Sequence, residues 1–252
     1  MMGRIAALYR HPIKGFTPER LDAARLSPGE AFPGDRLWVV EDGPSGFDAA
    51  HPGFIPKTRF AVLHKIPDVA RAKTNWDPET GVVSASAEGA PTIEVRLSEP
   101  SGRADFAAWL TELLGAAARG PLRVLEGEGW RFLDNPAGHV SILNLESVRD
   151  LSARLGRPVD PRRFRANVHV EGWPAWAENG WVDREVMLGP VRLKVVKTIT
   201  RCAAPDVNPD AAVRDMQVTE ALNRFYGHIL CGIYAQVAVG GEIAPSQTAR
   251  LI

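Results

Sequence analysis

Two cysteines occur in the 252-residue chain, Cys202 and Cys231, and only one has neighbours that favour chemistry. Cys202 follows a β-like run from Val191 to Thr200, stands beside Arg201, and precedes Pro205 and Pro209, which end regular structure. A guanidinium next to a thiol favours the thiolate, which is both the nucleophile and the soft metal ligand. Two readings stand at this point: a metal-directed thiolate, or a small buried hydrophobe at a strand end. Cys231 lies inside the apolar run Leu230 to Val239 and is expected in the core.

Around Cys202 the sequence repeats one theme, a basic or polar group at a strand end. Lys14, Arg36, Arg59, Ser141, Arg163, Arg165, Asn167 and Arg201 all share it. Planar guanidinium groups hold phosphate in bidentate fashion, and lysine supplies a point charge. If the set converges, it suits an anionic, phosphate-bearing cofactor whose metal accepts one sulfur ligand. If it does not, these residues are solvated strand ends.

The elements that would position them are short. Strands are expected at Arg4 to Arg10, Leu21 to Leu26, Pro33 to Val40 and Thr58 to Leu63. A glycine- and proline-rich segment from Asp42 to Lys57 reads as a long loop, a common form for lids. Val82 to Ser86 and Thr92 to Leu97 form a hairpin pattern about Glu88 and Gly89. Asp105 to Ala118 has a helical stripe of Phe106, Leu110, Leu113 and Leu114. His139 to Leu143 reads as a strand, and Asn144 as the cap of a helix closed by Gly156. Arg162 to Val170 alternates with period two, placing Arg163, Arg165, Asn167 and His169 on one face. Trp181 to Leu188 and Val191 to Ile199 form a hairpin about Gly189 and Pro190. A third helix follows Asp215 as its cap, and Leu230 to Val239 is the last long strand.

Composition excludes several classes. Thirty basic residues balance thirty acidic ones, so no whole-molecule field favours nucleic acid or a membrane surface. No CxxC, no HExxH, no GxxxxGK[ST], no strand-bound GxGxxG and no GxSxG occurs. The six histidines lack ligand-like spacing. No apolar run reaches the roughly 18 residues of a membrane span, and the N-terminus lacks a secretory pattern. The expectation is a cytoplasmic protein of mixed α+β, β-rich class, with 20 prolines and 23 glycines punctuating short elements.

The ordered set Pro12-Ile-Lys-Gly15, Gly34-Asp-Arg-Leu-Trp38, Thr58-Arg59, Arg163-Phe-Arg-Ala-Asn167, Glu178-x-x-Trp181, Arg201-Cys202 and Gly232-Ile-Tyr234 resembles the MOSC family. The likeness is to the branch with an N-terminal MOSC β-barrel domain, which includes the amidoxime-reducing components, and it runs over about residues 4 to 251. The resemblance implies a MOSC-type β-barrel with flanking helices and an intimately packed N-terminal β domain. The expected division is 1–125 and 126–252, with barrel and site shared. It implies a molybdenum cofactor of the molybdopterin type. Cys202 would ligate the metal, and Lys14, Arg36, Arg59, Arg163, Arg165, Asn167 and Arg201 would hold the pterin and its phosphate. Ser141 and Tyr234 would line the same pocket. The implied activity is reduction of small N-hydroxylated compounds: hydroxylamines, amidoximes or N-hydroxylated bases. Electrons would come from a separate donor protein, ferredoxin-like or of the cytochrome/flavin-reductase kind. The alternative within the family is cofactor carriage or persulfide sulfur carriage without turnover. Trp38, Trp173, Trp176 and Trp181 are expected as packing residues. The chain departs from the family pattern at Gly15, where a serine is common, and after the cysteine, where Asn208-Pro-Asp-Ala-Ala-Val213 stands.

Overall fold

The computed structural model describes residues 1–135 and 139–252. Its strands are β1 Met2–Arg10, β2 Glu19–Leu21, β3 Ala24–Leu26, β4 Trp38–Asp42, β5 Lys73–Trp76, β6 Val83–Ala87, β7 Ala90–Val95, β8 Leu122–Glu126, β9 Val140–Asn144, β10 Val168–Glu171, β11 Glu185–Leu188, β12 Val191–Thr200, β13 Leu230–Val239, β14 Gly241–Ile243 and β15 Thr248–Leu251. The α-helices are α1 Pro100–Leu114, α2 Leu145–Leu155 and α3 Val218–Tyr226.

One barrel organises the chain. The strands run β10-β9-β13-β12-β11-β15-β1, and β1 pairs back onto β10, closing the ring; β2 adds to β1 outside it. Closure removes the free edges that an open sheet leaves unpaired. The barrel interior takes alternate residues from its strands, Val168 and Val170, Val186 and Leu188, Val191, Leu193 and Val195, Ile233 and Ala235, with Ile5 and Leu8 of β1 spaced by a register shift. Trp173 and Trp181 join it, edge to face at 4.8 Å. A second core lies under the three-stranded sheet β5-β6-β7 and α1, where Phe16, Phe106 and Leu110 meet. Helices α2 and α3 bury Val148, Leu151, Val218 and Leu222 over the outside of the barrel, with Cys231 beneath them.

Several sequence signals act as expected. The Asn144 side chain accepts from the Glu146 amide at 3.1 Å, and Gly156 ends α2 in the left-handed region. Cys231 and Trp173 are fully buried and Trp38 and Trp181 nearly so; Trp176 is half-buried, its ring 4.2 Å from that of Tyr226.

Others do not. Arg162 to Val170 is not one alternating strand: Pro161–Phe164 is a 3-10 helix, capped by the Asp160 carboxylate on the Arg162 amide at 2.8 Å. Arg165 then turns through φ 53°, and the strand starts at Val168. Proline at the first position fixes the helical φ there. Thr58 to Leu63 also turns, as the 3-10 helix Lys57–Arg59 after Pro56. Leu21 to Leu26 splits into β2 and β3, which belong to different sheets. Helix α1 begins earlier than expected, with Pro100 in its first turn, and stops at Gly115. Asp215 does not cap α3; the Asp206 carboxylate accepts from the Val218 amide at 2.8 Å instead.

Candidate functional site

The residues that could do chemistry converge on a cavity of about 370 Å³. It opens where the C-terminal end of β12 and the loop after it meet the β1–β2 connection and the Lys57 turn. Its walls carry Lys14, Arg36, Lys57, Arg163, Arg165, Lys197 and Arg201, against the carboxylate of Asp134. Cys202, half-buried, and Tyr234 and Ser141 line it too.

The cations differ in what already holds them. Lys14 is buried, donates to the Phe132 carbonyl at 2.8 Å and pairs with Asp134 at 2.7 Å. Its neighbour Gly15 has φ 96°, and a Cβ there would meet Val62 at 3.0 Å. Glycine fits this corner and a serine would be strained in it. Arg36 follows the same logic of backbone placement: at φ 51° it projects from a left-handed residue and pairs with the adjacent Asp35. Asp35 is itself buried, accepting from the His11 amide at 2.7 Å. Arg163 is buried, pairs with Asp215 at 2.8 Å and donates to the carbonyls of Pro205 and Asp206.

Arg201 acts on backbone. Its Nε and Nη2 donate to the Cys231 carbonyl, Nη1 to the Phe164 carbonyl at 2.7 Å, and its plane lies 5.2 Å from the Phe164 ring centre. Gly232 makes room, since a Cβ there would fall 3.1 Å from Nη2 and 2.6 Å from the Ile142 carbonyl. Arg165 is the exception. One Nη donates to the Phe16 carbonyl at 2.6 Å; the other is buried with no partner among the described residues. Burial, then the charge of Arg36, pushes its pKa down to about 9.

Lys57 supplies the cation that meets the thiol. Burial alone would lower its pKa, but Asp134 and the charge and hydrogen bond of Cys202 raise it overall. Asp134 is the converse case: burial would raise its carboxyl, and Lys14, Arg36 and Lys57 together hold it far below the usual range. Burial raises the Tyr234 phenol, with Asp134 adding to it, so it stays protonated. His64 is lowered by burial and by Lys57 and Arg214, and its Nδ1 is buried without a partner among the described residues.

Of the residues singled out by sequence, Cys202, Lys14, Arg36, Ser141, Arg163, Arg165, Arg201 and Tyr234 lie on this cavity. Asn167 does not line it. It lines a small adjoining recess, and its side chain is engaged with Ser141, accepting from its hydroxyl at 2.6 Å, and with the Tyr9 carbonyl. Arg59 is exposed, outside both. The 3-10 turn that replaces the expected strand turns Lys57 inward and Arg59 outward. Lys57, His64, Asp134 and Lys197 had no sequence signal of their own: each is one charge among many until the fold brings it in. Of the 42–57 segment, Lys57 reaches the cavity; Pro44, Phe47, Asp48 and Ala49 line a separate groove against α1 and β8.

Among the described residues no group of three or more histidine, cysteine or carboxylate side chains could hold a metal ion, and no helix is long and apolar enough to cross a membrane.

Comparison with known proteins adds lineage. Residues 2–119 match the MOSC N-terminal beta barrel domain and residues 131–249 the MOSC domain. Mitochondrial amidoxime-reducing component 1 of Mus musculus is 35% identical over 106 residues, covering 40% of this chain and 30% of that protein. Component 1 of Homo sapiens is 38% identical over 72 residues, covering 29% and 21%. Component 2 of Bos taurus is 34% identical over 92 residues, covering 36% and 26%. The matches thus span at most about a third of these relatives. Among solved structures, the YUAD protein of Bacillus subtilis aligns over 99% of this chain and 94% of its own, at 15% identity and TM-score 0.46.

Proposed function

The chain belongs to the MOSC family, and on that premise we propose that it is a molybdenum-cofactor-dependent oxidoreductase that reduces N-hydroxylated compounds. The observation that carries this reading is a half-buried cysteine at the mouth of a cavity walled by cations, one of which, Arg165, buries an unpartnered N–H group. A buried donor without a partner is costly and marks a site completed by something else. The donor set also fits a cofactor that brings its own metal ligands: the protein offers one free cysteine sulfur, and a pterin would supply the remaining sulfur.

In this reading Cys202 contributes the metal ligand. Arg165 and Arg36 meet the phosphate, and Lys14 and Arg163 hold the pterin side of the cavity. When bound, the cofactor supplies a two-electron metal centre that removes the N–O oxygen. The reaction turns R–NHOH, two electrons and two protons into R–NH₂ and water. The electrons come from a separate donor protein. The two protons would come from solvent, relayed by the neutral His64 ring and the protonated Tyr234 hydroxyl, which both line the cavity. Arg201 fixes the strand end from which Cys202 projects.

Metal and pterin content of wild type and Cys202→Ala, purified side by side, tests the assignment. Equal molybdenum in both sinks it. Turnover of benzamidoxime with a reduced viologen separates a reductase from a cofactor carrier, which would hold the pterin without consuming substrate.

A further inference from the structure

The cavity has more positive charge than the proposed cofactor neutralises, and the excess sits at the mouth. Asp134, Asp35 and Asp215 pair with Lys14, Arg36 and Arg163. Lys57, Arg165, Lys197 and Arg201 are left without an ion pair among the described residues. Arg165 is half-buried with one Nη fully buried, and Arg201 is committed to carbonyls close by. A phosphate monoester carries about −1.5 to −2 at neutral pH, which suits Arg165 and its neighbour Arg36. Lys57 is half-buried at the thiol, and Lys197 is exposed.

Lys197 is not a bystander of its strand. Along β12, Val191, Leu193 and Val195 face the barrel interior, and Arg192 and Lys194 face outward. Between Val195 and Lys197 the register with β13 shifts. Such an irregularity re-aims the side chains beyond it, as at many active sites. Past it, Lys197, Thr198 and Thr200 line the cavity, with Lys197 opposite Tyr234 in the ladder.

We propose that the substrate carries an anionic group beside its N–OH, a carboxylate or a phosphate, and that Lys197, with Lys57, holds that group at the mouth. This rests on the reductase reading of the same cavity. Two lysines on the cavity wall without ion pairs among the described residues also concentrate anions there, an effect that salt weakens.

The test uses the cofactor-loaded protein and three substrates: benzamidoxime, 4-carboxybenzamidoxime and a 4-phosphonooxy analogue. The charged compounds are expected to show a higher kcat/KM, chiefly through KM. Lys197→Gln is expected to reduce the charged-to-neutral ratio roughly fivefold, the range of one exposed ion pair, and added salt to reduce it further. The carboxylate and phosphate arms tell which anion is preferred. Lys194→Gln makes the same charge change three residues away, off the cavity and paired with Asp183. An unchanged ratio there is expected; an equal drop overturns the proposal in favour of a general field. A charged-to-neutral ratio of one, or no effect of Lys197→Gln, also overturns it. If none of the three compounds is turned over, the reductase reading fails. Calorimetric binding of benzamidoxime and 4-carboxybenzamidoxime to wild type and Lys197→Gln then decides the anion preference by itself.

Discussion

Replacing Arg165 by methionine should make the ligand-free protein more stable while removing its ability to hold a phosphate. The side chain is half-buried, with one nitrogen on the Phe16 carbonyl at 2.6 Å and the other buried without a partner among the described residues. A guanidinium whose pKa falls to about 9 carries its charge at a cost of roughly 5 kcal/mol. Loss of the charge-assisted bond to Phe16 offsets about 2 kcal/mol, and the carbonyl left unpaired about 1 more. Methionine keeps most of the volume and adapts to irregular space. The net gain is about 2 kcal/mol, and at this chain length each kcal/mol moves the melting temperature by about 2–4 °C. The expected rise is therefore about 4–8 °C. Scanning calorimetry of both proteins, with and without inorganic pyrophosphate, checks it. Wild type should gain stability with pyrophosphate, as any ligand of the native state confers, and Arg165→Met should not. A variant that melts lower without ligand, yet keeps the pyrophosphate shift, would refute the reasoning and make Arg165 an ordinary structural arginine.

The remaining predictions use other groups. Burial alone would raise the Asp215 carboxyl, but Asn208 and Arg163 outweigh it and hold it low; its contribution is present at neutral pH and lost as pH falls through that lowered value. Asp215→Asn should cost about 3 kcal/mol at pH 7 by removing the carboxylate that pairs with Arg163, with the difference from wild type vanishing in urea titrations as pH falls through the lowered Asp215 value. Burial lowers His169 to about 4. The unfolded chain takes up that proton first, so stability falls as pH drops from about 6.5 to about 4, by roughly 3 kcal/mol. His169→Leu should flatten this part of the profile; an unchanged slope assigns it elsewhere. Shortening the exposed 48–53 segment should raise KM more than it lowers pterin content, because Lys57 is the part of this loop that meets the cavity. Equal loss of both would show that the loop supports the cofactor pocket as a whole.

Local signals with a mechanism were legible. Asn144, Gly156 and the alternation of β12 before its irregularity declare themselves through caps and period. The 163–167 stretch was misleading because two patterns coincide. Phe164, Ala166, Val168 and Val170 are all buried, as a strand would require, yet Pro161 and the Asp160 cap impose a 3-10 turn first. Arg163, Asn167 and His169 are buried as well, so no solvated face exists there. Lys57 was hidden because Pro56 turns the chain just where a strand seemed to begin. Asp134 and Asp215 were invisible as partners, since an ion pair between residues 14 and 134, or 163 and 215, leaves no trace in spacing.

Arg201 carries the sharpest contrast between adjacency and contact. As the neighbour of Cys202 it looked like the cation that acts on the thiol, but its donors go to Cys231 and Phe164. The cation that reaches the thiol is Lys57, from the other half of the chain. Lys14, Arg36 and Lys57 come from the region matching the N-terminal barrel domain, and Arg163, Arg165, Lys197, Arg201 and Cys202 from the region matching the MOSC domain. The same division cuts the barrel, because β1 is the strand that pairs with both β10 and β15. A fragment of 126–252 would thus lose ring closure together with three of the cavity's cations. Such a fragment, expressed alone, should neither melt cooperatively nor retain pterin, and cooperative melting would show that the barrel can close without β1.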